Sequence, residues 1–248
     1  MNVPSADVSV IIPLKDCEQF IADAIRCIWS QTLRPLEIVV VDDGSVDGSI
    51  ALVEELRDAG VVPLQILKGP CKGPGPARNV GIKRARGEFV AFLDADDLWP
   101  ANKLELHMNR FAASPHVDVV AGLVQYFQEQ IEEGLAPDPS SVIEEMYHVH
   151  LGASVYRRSV FDEIGCFDES FMYAEDVDMV LRVRESAMVM TILDAITLHY
   201  RRHDNSMTAK FSQREKRDFN RAIFLSLMRR KRAGRSGSLP PFSELVGY

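Results

Sequence analysis

What most constrains this chain is the order of its apolar runs. Val8-Ser9-Val10-Ile11-Ile12 is β-branched and closes at Pro13, and Leu36-Glu37-Ile38-Val39-Val40-Val41 stops at Asp42-Asp43-Gly44-Ser45. Pro63-Leu64-Gln65-Ile66-Leu67 precedes a Gly/Pro-rich loop, Gly69 to Pro76, and Glu88-Phe89-Val90-Ala91-Phe92-Leu93 ends in Asp94-Ala95-Asp96-Asp97. Short continuous runs of this kind suit strands buried on both faces of a parallel sheet. Between them, Phe20, Ile21, Ala24, Ile25, Ile28 and Trp29 recur at helical spacing, as do Ile50, Val53 and Leu56. A third helix is expected from about Ala77, a fourth opening at Pro100, and a fifth strand over Val117 to Val124. The first half therefore reads βαβαβαβ, which predicts an α/β fold: a mostly parallel central sheet with helices on both faces.

The second half is less regular. Residues 128–146 are acidic and read as a surface insertion, Glu175 to Glu185 as a helix, Met188 to Leu193 as a strand, and 212–232 as one long basic helix before a flexible break at Gly234 to Pro241. No clean linker appears. The expected organisation is one domain over 1–206, with a nucleotide-binding half at about 7–100 and an acceptor half at 101–206, followed by a helical extension over 207–248. At 248 residues such a chain buries enough surface to need no staple, and its four cysteines contain no CxxC. The first seven residues carry neither a basic stretch nor an apolar core, and no run of 18 apolar residues occurs, so a cytoplasmic protein is expected.

Charge is unevenly spread. The net charge of −8 argues against a nucleic-acid partner. Residues 201–235, however, hold 12 lysines and arginines against 3 acids, while the remainder holds 16 against 33. A basic helix of this kind suits a solvated face or peripheral contact with the inner membrane surface through 212–235. Its apolar side would equally cover the core or meet a second copy in a homodimer.

Carboxylates at strand ends are the first chemical signal. Ligands bind open α/β sheets beyond the carboxyl ends of the strands, where Asp42-Asp43 and Asp94-x-Asp96-Asp97 both fall. Clustered like charges need donors or a cation, and a hard divalent ion such as Mn²⁺ or Mg²⁺ bridging a diphosphate is the natural partner. A decoy is set aside: Asp43, Ser45, Asp47, Gly48, Ile50 and Glu54 match an EF-hand loop, but a strand precedes them where a helix is required. Arg78 near a helix start suits an anion or a nucleotide. In Ala174-Glu175-Asp176, one carboxylate caps a helix and the other suits a general base. In Tyr200-Arg201-Arg202-His203, imidazole suits a metal and arginine forks suit diphosphate oxygens.

The joint order of these motifs resembles the family 2 glycosyltransferases of the GT-A fold, over roughly residues 7–206. The pieces are Val8 to Pro13, Ser30-Gln31-Thr32, Ile38 to Ser45, Gly75 to Ile82, Gly87 to Asp97, Glu175-Asp176 and Tyr200 to His203. The resemblance implies inverting transfer of a sugar from a nucleotide diphosphate donor, a UDP-sugar in preference, to a sugar, lipid-linked or small-molecule acceptor. It implies Asp43 and Pro13 at the nucleobase, and Arg78 and Asp94 holding the nucleotide. Asp96, with Asp97 and His203, would lie on the metal side, Arg201, Arg202 and Glu175 beside the diphosphate or acceptor, and Asp176 would be the base. Two departures stand out. Pro13-Leu14-Lys15-Asp16 replaces the family's Pro-x-Tyr-Asn, and the QxxRW signature of processive synthases is absent, so single addition is expected. The rivals are a non-catalytic nucleotide-sugar binding module, which would not need Asp176, and a sugar-phosphate nucleotidyltransferase, whose Gly-rich turn Pro13 displaces.

Overall fold

Strand β1 (Ser5–Leu14) buries Val8, Val10, Ile12 and Leu14 in one core layer and Ile11 in the opposite one. This is the period-2 pattern of a strand covered on both faces. The computed structural model describes residues 4–128, 136–146, 150–204, 206, 213–235, 237–239 and 241–246. After β1 come α1 (Ile21–Trp29), β2 (Arg34–Asp42), α2 (Ser49–Ala59), β3 (Leu64–Lys68), α3 (Pro74–Arg84), β4 (Phe89–Phe92), α4 (Lys103–Ala113) and β5 (Val119–Gln128). The second half adds β6 (Val142–Met146), β7 (Val155–Arg157), α5 (Ser159–Ile164), α6 (Glu175–Glu185), β8 (Met190–Arg202) and α7 (Gln213–Arg232).

All eight strands form one sheet of order β3-β2-β1-β4-β7-β5-β6, with β8 parallel to β5. The four strands of the first half are parallel, while β7 runs antiparallel to both β4 and β5. One apolar layer holds α1 and α4 residues such as Ile25, Ile28, Leu104 and Phe111; the other holds Ala77, Ile82, Phe161, Met179 and Val183 from α3, α5 and α6. Gly81 lets α3 lie close on β1, since a Cβ there would sit 2.4 Å from the Ile11 side chain.

Several expectations shift. Helix α3 begins at Pro74 rather than Ala77, because proline suits a first helical turn. Helix α4 opens at Lys103, three residues past Pro100. The expected surface insertion contributes β6, an edge strand antiparallel to β5, while residues 129–135 lie outside the described residues. Strand β8 continues to Arg202 rather than ending near Leu193, pairing with β5 as far as Gln128. Beyond α7, Gly234 takes a left-handed φ of 69°, and Val246 returns to bridge Ile192. Tail residues 207–212 are outside the described set.

Candidate active site

Strand order reverses between β1 and β4, and the crevice beyond their carboxyl ends is where such sheets bind ligands. A cavity of about 800 Å³ opens there. The chain leaving β1, Asp43 after β2, the Cys71–Pro74 loop, the Asp94–Asp96 turn and the Met172–Val177 approach to α6 all line it. Helix α7 adds Glu215 and Phe219 at its rim. Asp16, Cys71 and Ala174 are the three non-glycine residues of positive φ among the described residues, at 48°, 57° and 61°, and all three line this cavity. Backbone strain gathered in one place marks a functional site.

Asp43 is buried and organises the loop opposite β2. Its carboxylate accepts backbone N–H groups of Cys71 and Gly73, each at 2.7 Å, and of Lys72 at 3.4 Å. Gly73, with φ of 102°, supplies a turn that other residues adopt only under strain. The loop then enters α3, which carries Arg78 inward. The Arg78 guanidinium is buried and donates to Asp94 Oδ1 at 2.6 Å and to Glu175 Oε1 at 2.7 Å. It thereby ties the β4 turn to the start of α6. Burial works to lower the Arg78 pKa, but Asp94 and Glu175 more than reverse it and keep the group charged. Burial likewise works to raise Asp94, and Arg78, followed by His150, holds it below its ordinary value. Glu175 goes the other way: burial pushes it up to about 7 against the pull of Arg78, with Asp176 adding to the rise.

The two remaining acids of the turn separate. Asp96 Oδ2 meets His203 Nε2 at 3.0 Å, and the His203 ring packs on Phe20 with centroids 4.6 Å apart. Asp97 is 1% exposed. One of its oxygens accepts the Arg201 N–H at 2.9 Å; the other, Oδ2, is buried with no hydrogen-bond partner among the described residues. Burial, then the charges of Asp96 and Asp94, push Asp97 well above the ordinary carboxylate value. Ligand atoms of Asp94, Asp97 and His150 all lie within 4.8 Å of one another, the one such three-residue group among the described residues. A buried carboxylate oxygen without a donor, next to a second carboxylate and an imidazole, fits a hard divalent cation. Of the expected Asp96, Asp97 and His203, the structure pairs Asp96 with His203 and groups Asp97 with Asp94 and His150. His150 escapes sequence reading because it sits in irregular chain. Its Nδ1 accepts the Gly152 N–H at 3.1 Å.

Arg201 and Arg202 do not line the cavity. Arg201 is buried beneath the turn, donating through Nε to the Asp96 carbonyl at 2.9 Å between the rings of Phe20 and Phe127. Arg202 faces outward over Tyr126, 4.4 Å from its centroid. Pro13, near the end of β1, lines the cavity, as do Asp43, Arg78, Asp94 and Asp96. Asp176 also lines it, at the first turn of α6, where the backbone N–H of Val177 donates to its Oδ1 at 2.7 Å. The EF-hand decoy dissolves: strand β2 precedes it, and Asp47 accepts the Ser49 N–H at 3.0 Å just ahead of α2.

Comparison with known proteins gives this geometry a lineage. The family model described as Glycosyl transferase family 2 matches residues 9–167, well over half of the chain. The chain belongs to glycosyl transferase family 2. Among curated relatives, "Uncharacterized glycosyltransferase EpsJ" of Bacillus subtilis (strain 168) is 30% identical over 219 residues, 81% of this chain and 62% of its own length. The Escherichia coli protein "UDP-Glc:alpha-D-GlcNAc-diphosphoundecaprenol beta-1,3-glucosyltransferase WfaP" is 26% identical over 213 residues, 83% of this chain and 82% of its own. The chain spans only 41% of the minor teichoic acid biosynthesis protein GgaA of B. subtilis. Among solved structures, S. aureus TarS 1–349 in complex with UDP-GlcNAc aligns with a TM-score of 0.68 and 24% identity, covering 90% of this chain and 66% of that one. The Pyrobaculum calidifontis mannosyltransferase PcManGT, in complex with GDP-Man and Mn²⁺, aligns at 0.62 and 19%, covering 95% and 66%. The architecture shared with these solved structures is the GT-A fold.

Proposed function

We propose that this family 2 chain transfers a single sugar from a nucleotide diphosphate donor to an acceptor hydroxyl, with inversion and with the help of a divalent cation. One observation carries the reading: the buried, unmet oxygen of Asp97 beside Asp94 and His150, which line the cavity at the switch point of the sheet. Asp94, Asp97 and His150 would hold Mn²⁺ or Mg²⁺, and the bound ion would supply Lewis-acid neutralisation of the departing diphosphate. A UDP-sugar donor is supported by the name of WfaP and by the UDP and UDP-GlcNAc complexes of TarS. A lipid-linked acceptor is supported by the WfaP name. Single addition is supported by the tryptophans: the chain's only two, Trp29 and Trp99, lie outside the cavity lining.

In this reading the nucleoside lies against Pro13 and the Asp43-anchored loop. Arg78 acts through others, fixing Asp94 and Glu175 so that the β4 turn and the start of α6 keep one geometry. Asp96, steadied by His203, faces the donor. Asp176 takes the acceptor hydroxyl proton as that oxygen attacks the anomeric carbon and the bond to the diphosphate breaks. A single base opposite the leaving group gives one in-line displacement and hence inversion. Arg201 serves by holding the Asp94–Asp97 turn from beneath.

The experiment is Asp176→Asn, assayed for UDP release from UDP-glucose with a polyprenyl-diphosphate-linked GlcNAc and for UDP binding by calorimetry. General-base removal costs about 10²–10⁴ in rate. The expected outcome is a loss of that order with UDP affinity unchanged. Transfer at the wild-type rate would remove Asp176 from its role, and absence of transfer by the wild type itself, with UDP still bound, would leave a binding module as the better reading.

A further inference from the structure

We infer that α7 docks on an anionic membrane surface and holds the mouth of the cavity against it. The helix packs on α6 and buries Asp218, Ala222 and Ser226; Asp218 accepts the backbone N–H groups of Met172 and Tyr173, and Arg229 donates to Asp178 at 3.0 Å and to Glu185 at 2.5 Å. Its other side is left open. Of the eight large hydrophobic side chains exposed among the described residues, four lie on this helix: Phe219 at 47%, Ile223 at 37%, Phe224 at 58% and Leu227 at 51%. Phe219, Ile223 and Leu227 recur every fourth residue and form one stripe, with Phe224 beside it. The basic residues Lys216, Arg217, Arg230 and Lys231 flank these four along the same side. Of the two acids of α7, Asp218 is buried, and Glu215 stands one turn before Phe219 in the cavity lining, ahead of the exposed apolar residues rather than among them.

Aromatic and aliphatic tips among cations, with no carboxylate between them, match the interface of an anionic bilayer, where apolar tips enter the acyl boundary and lysine and arginine heads reach lipid phosphates. A second copy fits poorly, because a two-fold pairing of this face would set the same cations against each other. The stripe also has a direction. Phe219 lines the cavity together with Met172 and Tyr173, so the apolar face begins at the mouth of the site. It ends at a concavity of about 580 Å³ lined by Leu227, Arg230, Lys231 and Arg235. An acceptor anchored in the bilayer would thus reach Asp176 without leaving the surface. That last step rests on the proposed transfer; the docking does not.

The test is density-gradient flotation of the full chain with vesicles of phosphatidylcholine alone, or containing about 30% phosphatidylglycerol, at low and high salt. The chain is expected to float with the phosphatidylglycerol vesicles, to be released by salt, and to ignore phosphatidylcholine alone. Combining Ile223→Ser, Phe224→Ser and Leu227→Ser is expected to cut the floated fraction at least tenfold with an unchanged thermal midpoint. Asp176→Asn is expected to float like the wild type, which separates failure of docking from failure of transfer. Absence of flotation with phosphatidylglycerol vesicles would overturn the inference, as would equal flotation of the triple variant. So would a lipid-free dimer that the triple variant converts to monomer.

Discussion

Asp97 illustrates how one side chain serves two states of the protein differently. In the ion-free chain its buried Oδ2 has no hydrogen-bond partner among the described residues, and its pKa stands well above the ordinary value. The folded state then keeps a proton that the unfolded chain has released, so this residue costs stability increasingly as pH rises through the carboxylate range and beyond. Asp97→Asn removes the charge while keeping the shape. We expect it to raise the unfolding free energy of the ion-free protein, by about 1–3 kcal/mol at pH 8 and by less near pH 4, and to abolish stabilisation by Mn²⁺. Thermal unfolding at the two pH values, with EDTA or Mn²⁺, checks both parts. A variant less stable than the parent in EDTA at pH 8 contradicts the assignment. The sequence shows the acids but not this division of labour. Asp94-x-Asp96-Asp97 is legible as a cluster at a strand end, whereas its sorting into an Asp94–Asp97–His150 group and an Asp96–His203 pair depends on which way each side chain turns.

At the scale of elements, Arg78 is the fastening between two pieces distant in sequence. It reaches from α3 to the turn after β4 and to the first residue of α6. Arg78→Met leaves two mostly buried carboxylates without their cation, a change that costs about 3–5 kcal/mol where a buried pair is broken. We expect a stability loss of that order by urea unfolding, with the Glu175→Gln/Arg78→Met pair less destabilised than the Arg78→Met variant alone. Equal stability of Arg78→Met and the parent would show that the clamp is not structural. Which elements the sequence reveals follows the same logic. Helix α6 runs from Glu175 to Glu185 as its spacing predicts, because an amphipathic pattern and an acidic first turn are local signals. Strand β7, three residues long, carries too little pattern to be seen, and it is what turns the sheet antiparallel between β4 and β5. The far half of β8 reads as polar, His199-Tyr200-Arg201-Arg202, and becomes a strand only because aromatic rings from α1's approach and β5 cover its arginines.

At the scale of the whole molecule, the sheet has a satisfied end and an unsatisfied one. Toward the amino ends of the strands, Glu37 is fully buried yet accepts from Ser9 Oγ, the Arg86 N–H and Nε, and Gln65 Nε2, all within 2.9 Å. Burial works to raise its pKa, and donors led by the Arg86 N–H and Ser9 bring it below the ordinary value. Toward the carboxyl ends, Asp97 has the opposite balance, and the three non-glycine residues of positive φ surround the cavity beside it. A carboxylate that folding alone completes is structural; one that folding leaves incomplete awaits a ligand. The α/β layering was legible because alternating apolar runs dictate it, and the place of the cavity because it lies where strand order reverses. The basic helix α7 was legible too, with peripheral membrane contact among the readings its charge and apolar side left open. The place of His150 was not, since irregular chain is brought beside Asp94 and Asp97 only by the finished fold. The central claim is that this cavity binds a nucleoside diphosphate through a cation held by Asp94, Asp97 and His150. Calorimetric titration of UDP into the wild type and Asp97→Asn, each with Mn²⁺ or EDTA, tests it most directly. The account predicts binding by the wild type with Mn²⁺, weakened at least tenfold in EDTA or by the substitution; UDP affinity equal under all four conditions would contradict it.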